Sequence, residues 1–122
     1  MEPVVADYLP RFFTESVLRK HPAQTARVRE IMLATDPLGA AAVLRGMAAR
    51  VAAGDLFESM RIPVTVVAGR DDAVVPLDHQ HAIAAAIDGA QVAVLDSGHL
   101  PQVEAGSALS AELRRLLDRV ER

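Results

Sequence analysis

The sequence predicts an α/β chain, helical in its first half and β-α-β-α in its second. Three observations carry this. Residues 62–69, IPVTVVAG, form a β-branched and nearly unbroken apolar run at strand length, the texture of a strand buried on both faces of a parallel sheet. Residues 91–96, QVAVLD, form a second such run, with a helical stretch over 77–87 between the two. From Pro22 to Ser59 the apolar side chains instead fall at helical spacing, so the texture changes between Met60 and Pro63.

Each element has a local reason. Residues 1–13, punctuated by Pro3 and Pro10, show no firm period and read as a loop or incoming segment. The stretch TESVL begins a short helix that ends on the approach to Pro22. Pro22 suits a first helical turn, where its missing N–H costs nothing. Ala26, Val28, Ile31, Met32 and Leu33 then form an apolar stripe. Asp36 can cap the next helix and Pro37 open it, with GAAAVLRGMAARVAA continuing until Gly54 stops it. Asp55 caps another short helix, DLFESM. After the first strand comes a turn-rich loop, RDDAVVP, and Asp88-Gly89 closes the helix that follows it. The chain ends in SALSAELRRLLDRVER, with Leu109, Leu113, Leu116, Leu117 and Val120 on one amphipathic face.

The topology brings distant residues together. A strand–helix–strand crossover between parallel strands is almost always right-handed, so both strands end on the same sheet edge. Ligands of open α/β sheets bind at that edge. Asp71 and Asp72 follow the first strand and His99 follows the second. Parallel neighbours lie about 5 Å apart, so a carboxylate and an imidazole can meet there. Imidazole titrates near 6.5 when unperturbed, roughly neutral pH. It can take a proton from a nucleophile and return it to a leaving group, while the carboxylate holds Nδ1–H and stabilises the imidazolium.

These residues also carry a resemblance. IPVTVVAGRDDAVVP followed by VLDSGHLPQVE resembles the C-terminal part of an α/β-hydrolase. That family writes its acid loop G-x-x-D-x-x-x-P, here Gly69 to Pro76, so the resemblance makes Asp72 the acid and leaves Asp71 as a turn residue or a partner for Arg70. It writes its histidine loop G-H with a glutamate a few residues on, here Gly98-His99 and Glu104. The order nucleophile, acid, histidine is that of the family. RFFTESVLRKHP and REIMLATDPLGAAAVLRGMAARVAAGDL are similar to the helical cap of 3-oxoadipate enol-lactonases and related ester hydrolases. Residues 1–60 are then a cap (lid) segment and 61–122 the C-terminal β-α-β-α part of the hydrolase core. Val74 and Leu100 flank the acid and base and are the candidate substrate contacts, or else pack their loops. Glu104 orients the histidine loop or favours the helix after it.

One feature of the family is absent from these residues. The nucleophile turn G-x-S-x-G does not occur, and none of Ser16, Ser59, Ser97, Ser107 and Ser110 has that context. The reading that follows is the acid–base and cap half of a hydrolase for a carboxylic ester or lactone, completed by a nucleophile-bearing N-terminal half. The alternative is a non-catalytic remnant that acts as an association module. A serine nucleophile rests on the cap resemblance alone, since aspartate serves that role elsewhere on this fold. Either way the first strand would have a bare apolar edge, so self-association, segment exchange or marginal stability is expected.

Composition excludes other classes. The net charge is −3 with no long run of one sign, and the aromatics are one Tyr and three Phe. Neither a basic patch nor a stacking platform for nucleic acid is present. There is no Cys, hence no disulfide, thiolate metal site or cysteine nucleophile. His79 and His81 are two apart on one helix and point in different directions, so no metal is expected, and the proposed chemistry needs no cofactor. No apolar run approaches the ~20 residues of a membrane helix. MEPVVADYLPRFF lacks a basic start followed by an apolar core, unlike a signal peptide. Cytoplasmic residence is the expectation.

Overall fold

Pro3 and Pro10 punctuate a helix rather than a loop. In a computed structural model, which describes residues 1–52 and 54–121, α1 spans Glu2–Phe12. Pro3 sits in the first turn, where no intrahelical N–H bond is needed. Pro10 lies in the last turn, and burial of Val5 (2% exposed) and Phe13 (4% exposed) offsets the bond it removes. The expectation of a loop over 1–13 is therefore corrected: tertiary packing overrides a weak local signal.

The next helices follow their caps. Thr14 Oγ1 accepts from Val17 N–H and opens α2, Glu15–Lys20. α3 is Pro22–Ala34 and packs with α1 and α2. Its apolar stripe is only partly covered: Val28, Met32 and Leu33 are half-buried, while Ala26 and Ile31 are exposed. Asp36 accepts from the N–H groups of Leu38 and Gly39 at the start of α4, Pro37–Ala48. α4 ends six residues before Gly54, and Gly54 opens α5, Gly54–Ser59, instead of stopping the preceding helix. The Ala49 N–H closes α4 by bonding back to Arg45 C=O.

β1, Thr65–Gly69, and β2, Gln91–Leu95, pair in parallel, from Thr65 beside Gln91 to Gly69 beside Leu95. α6, Leu77–Ala85, makes the crossover, and Gly89 turns the chain back with φ +70°. β1 is three residues shorter than the sequence suggests, because Pro63 has no N–H for the ladder and Ile62 is exposed. Nor is β1 buried along its length. Ala68 and Gly69 are buried, the first three positions only half so, since the described sheet has two strands.

α7, Pro101–Glu104, is a single turn inside what reads as the histidine loop, and α8 is Gly106–Val120. Arg119 ties α8 to the start of β1, donating from Nη2 to Val64 C=O at 2.8 Å and Thr65 Oγ1 at 2.7 Å. Leu109 and Leu116 are half-buried, whereas Leu113, Leu117 and Val120 stand 49%, 58% and 60% exposed in one row. The buried apolar side chains of this half are Ala68, Ala84, Ile87, Ala93 and Leu95. No single helix is long and apolar enough to cross a membrane among the described residues.

Candidate active site

The common edge of the two strands is closed by backbone contacts that admit no extra atoms. Arg70 N–H bonds Leu95 C=O at 2.9 Å, and Asp71 N–H bonds Ser97 C=O at 3.1 Å. A Cβ on Gly69 would lie 2.1 Å from Gly98 O and 2.8 Å from Ser97 O. Glycine is required there for close backbone approach. Ser97 is fully buried beneath this contact.

Asp72, three residues past β1, and His99, four past β2, meet as the topology predicts. His99 Nδ1 lies 2.9 Å from Asp72 Oδ2, although the residues are 27 apart in sequence. The other carboxylate oxygen, Oδ1, accepts from Val74 N–H at 2.8 Å and Val75 N–H at 2.9 Å. Only 6% of the Asp72 side chain is exposed. Burial alone pushes its carboxyl up, but the Val75 N–H, the His99 ring and the Val74 N–H together hold it below the ordinary carboxylate value. The group is therefore an anion near neutral pH and can only accept. Nδ1 must carry the hydrogen of the shared bond, and in the neutral imidazole the lone pair is then on Nε2. Among the described residues no group bonds Nε2.

The contacts of Gln80 and Phe12, and the bonds of Glu104 to Thr14, were not legible in the sequence. Gln80, buried on α6, donates Nε2–H to Val75 C=O at 2.7 Å and approaches Asp72 Oδ2 at 3.4 Å, bracing the acid loop. Phe12 stacks on the His99 ring, centroids 5.6 Å apart and planes at 25°. Glu104 accepts from Gly98 N–H at 2.9 Å and from Thr14 N–H and Oγ–H at 3.0 and 2.8 Å. A polar residue eight positions after the acid and an aromatic before a loop have no pattern that marks them. Glu104 was marked, and it does hold the histidine loop, but its second partner lies ninety residues away.

His99 is one-third exposed and faces two hollows. One, of about 460 Å³, is apolar and lies under the helical segment, with Tyr8, Phe12, Met32, Val43, Met47 and Val74 in its wall. The other, of about 320 Å³, lies at the sheet edge, against Val66, Gln80, Ile83 and Pro101 as well as Asp72. Val74 thus stands beside His99 in the apolar hollow, whereas Leu100 lines neither and caps α7. Asp71 is exposed, and Arg70 pairs with Asp96 at 2.8 Å rather than with Asp71.

The architecture is that of known hydrolases. An esterase from Thermogutta terrifontis superposes with a TM-score of 0.93 at 32% identity, over 98% of this chain and 44% of its own. The chain has the fold of the C-terminal part of an α/β-hydrolase. A hydrolase from Pseudomonas aeruginosa is similar at TM-score 0.88 and 26% identity, over 96% of this chain and 44% of its own. An enol-lactonase from Burkholderia xenovorans shares the fold at TM-score 0.91 and 24% identity, over 97% and 45%. This α/β-hydrolase portion thus spans less than half the length of each solved structure. No family model matches the sequence, and no curated protein matches it. The loops after β1 and β2 hold Asp72 and His99, and helices α1 to α5 precede both strands.

Proposed function

We propose that this chain is the acid–base and cap half of a serine hydrolase that cleaves a carboxylic ester or a lactone, with the nucleophile supplied by residues outside these 122. The observation that carries the reading is the Asp72–His99 bond, with His99 lining two hollows. A nucleophile seated on the sheet-edge side would give its proton to Nε2 as it attacks the acyl carbon. Asp72 stabilises the imidazolium so formed, and His99 returns the proton to the leaving oxygen. Water then repeats the sequence on the acyl-enzyme. The apolar hollow receives the acyl part, and Val74 touches it; Leu100 positions the loop. The names of the similar proteins, an esterase and an enol-lactonase, support an ester or lactone as substrate. On this reading the protein works in the cytoplasm, where a chain without cysteine loses nothing to a reducing environment.

The test is reconstitution. The chain is co-expressed with an N-terminal hydrolase half bearing G-x-S-x-G and assayed on p-nitrophenyl esters and an enol-lactone. The pair is expected to be active and the chain alone inactive. His99→Ala should lower kcat in the pair by roughly a thousandfold or more, the usual cost of losing a triad member. Full activity in His99→Ala, or an inactive pair that is correctly assembled, would sink the proposal.

A second reading has its own observation. The exposed row Leu113, Leu117 and Val120 and the single pairing of β1 suit a chain whose role is association without chemistry. Reconstitution separates the two, since a pure association module would assemble with the other half and stay inactive even with all triad members present.

A further inference from the structure

The peptide units of Gly98 and His99 are gripped from two sides. Gly98 N–H donates to Glu104 Oε1 at 2.9 Å, and His99 N–H donates to Phe12 C=O at 3.0 Å. The second oxygen of Glu104 accepts both the N–H and the hydroxyl of Thr14. Thr14 Oγ1 in turn accepts from Val17 N–H, opening α2. Phe12 and Thr14 flank the turn between α1 and α2, so three of these bonds, His99 N–H to Phe12 and the two from Thr14 to Glu104, cross between the helical segment and the histidine loop. The Phe12 ring against the His99 ring adds a fourth crossing contact.

The grip is close and closed. A Cβ on Gly98 would lie 2.9 Å from both Glu104 Oε1 and Phe12 O. No Lys or Arg pairs with Glu104 among the described residues. Its charge is met by three N–H and O–H donors alone. Charge-assisted hydrogen bonds of this kind are shorter and stronger than neutral ones, and donors left facing each other are costly.

We infer that Glu104 is a positioning residue: with Thr14 and Phe12 it locks the cap's α1–α2 turn to the histidine loop, so that the cap and the imidazole of His99 move as one body. The inference rests on the reading of His99 as the base for its functional meaning, but not for its geometry. Displacing the α1–α2 turn would tilt the imidazole away from Asp72, and a seated cap would hold Nε2 in place. The arrangement makes productive geometry conditional on cap placement.

The test is proton NMR of the full chain, following the hydrogen-bonded His99 Nδ1–H, a signal that reports the Asp72 bond itself. Glu104→Gln keeps an oxygen for Gly98 but turns an amide donor toward Thr14. Thr14→Val removes the hydroxyl and keeps the N–H, and Thr14→Ser keeps both. Glu104→Gln and Thr14→Val should each speed solvent exchange of the His99 Nδ1–H by roughly tenfold, the equivalent of about one net hydrogen bond. Thr14→Ser should leave it unchanged. Thr35→Ala, which removes a remote exposed hydroxyl bond to Ile31 C=O, controls for general loosening and should also leave it unchanged.

A folded Glu104→Gln chain that keeps the wild-type exchange rate would overturn the inference, as would equal acceleration by Thr35→Ala. Should Glu104→Gln not fold, Thr14→Val decides by the same signal. An inactive reconstituted pair with a normal NMR response would count against the catalytic reading and leave the lock standing.

Discussion

The histidine and acid loops and the helical segment before them are built on opposite terms. Around Gly69 to Val75 and Ser97 to Glu104, backbone touches backbone and the carboxylates of Asp72 and Glu104 are met by N–H donors. α4, in contrast, buries no residue and leaves Leu38 79%, Val43 63% and Met47 61% exposed. One region is specified by contacts that a single methyl group would break. The other is specified by a pattern of apolar positions that many sequences satisfy. The proposed proton transfer demands the first, because a proton moves only between atoms held within hydrogen-bond reach. Apolar lining needs only shape and hydrophobicity.

Glycine tests that difference most sharply. Gly69→Ala forces a Cβ onto backbone atoms that cannot move aside. It should cost about 3 kcal/mol or more, read from urea unfolding, and in so short a chain it should leave little folded protein. Gly46 lies inside α4 with nothing within 4 Å of its missing Cβ. Gly46→Ala should instead stabilise by about 0.8 kcal/mol through helix propensity. Similar responses at the two sites would erase the comparison.

The acid pair comes next in size. Asp72→Asn removes an anion held by two N–H groups and an imidazole, and should cost about 2 kcal/mol at neutral pH. Because the folded carboxyl lies below its ordinary value, the unfolded chain binds the proton first as pH falls. The stabilisation is fully present above the unfolded value near 4 and is lost as pH drops through the lower folded one, roughly as linkage requires. Unfolding measured from neutral pH downward should show this acid limb in the wild type and a shallower one in Asp72→Asn. An unchanged limb would mean that Asp72 is not an anion stabilised by the fold.

The smallest effect belongs to the exposed surface. Arg11 and Asp7 pair at 2.7 Å on α1, both about half exposed. Asp7→Ala should change stability by about 0.5 kcal/mol or less, as exposed i,i+4 pairs do. A larger loss would show α1 to depend on its surface and not on the burial of Val5 and Phe13.

Much of this was legible in the chain itself. The β-branched runs marked two strands, and their parallel order placed Asp72 and His99 at one edge. The Asp36-Pro37 start of α4 and the Thr14 start of α2 were readable from local chemistry. Helix α1 was not, because prolines argue locally against a helix and only burial outweighs them. The true extent of β1 was only half legible: Pro63 limits the strand from within the sequence, but pairing with β2 begins at Thr65.

The sequence by itself determined which residues meet at the sheet edge, since residue type and order along the chain decide which side chains that edge can present. Only the tertiary structure decided how they are held: the His99 tautomer through Asp72, the Gly69–Gly98 contact, and the Glu104 carboxylate shared between Gly98 and Thr14. Those are contacts between residues up to ninety positions apart, and local pattern cannot carry them, because a hydrogen bond depends on position in space and not on distance along the chain.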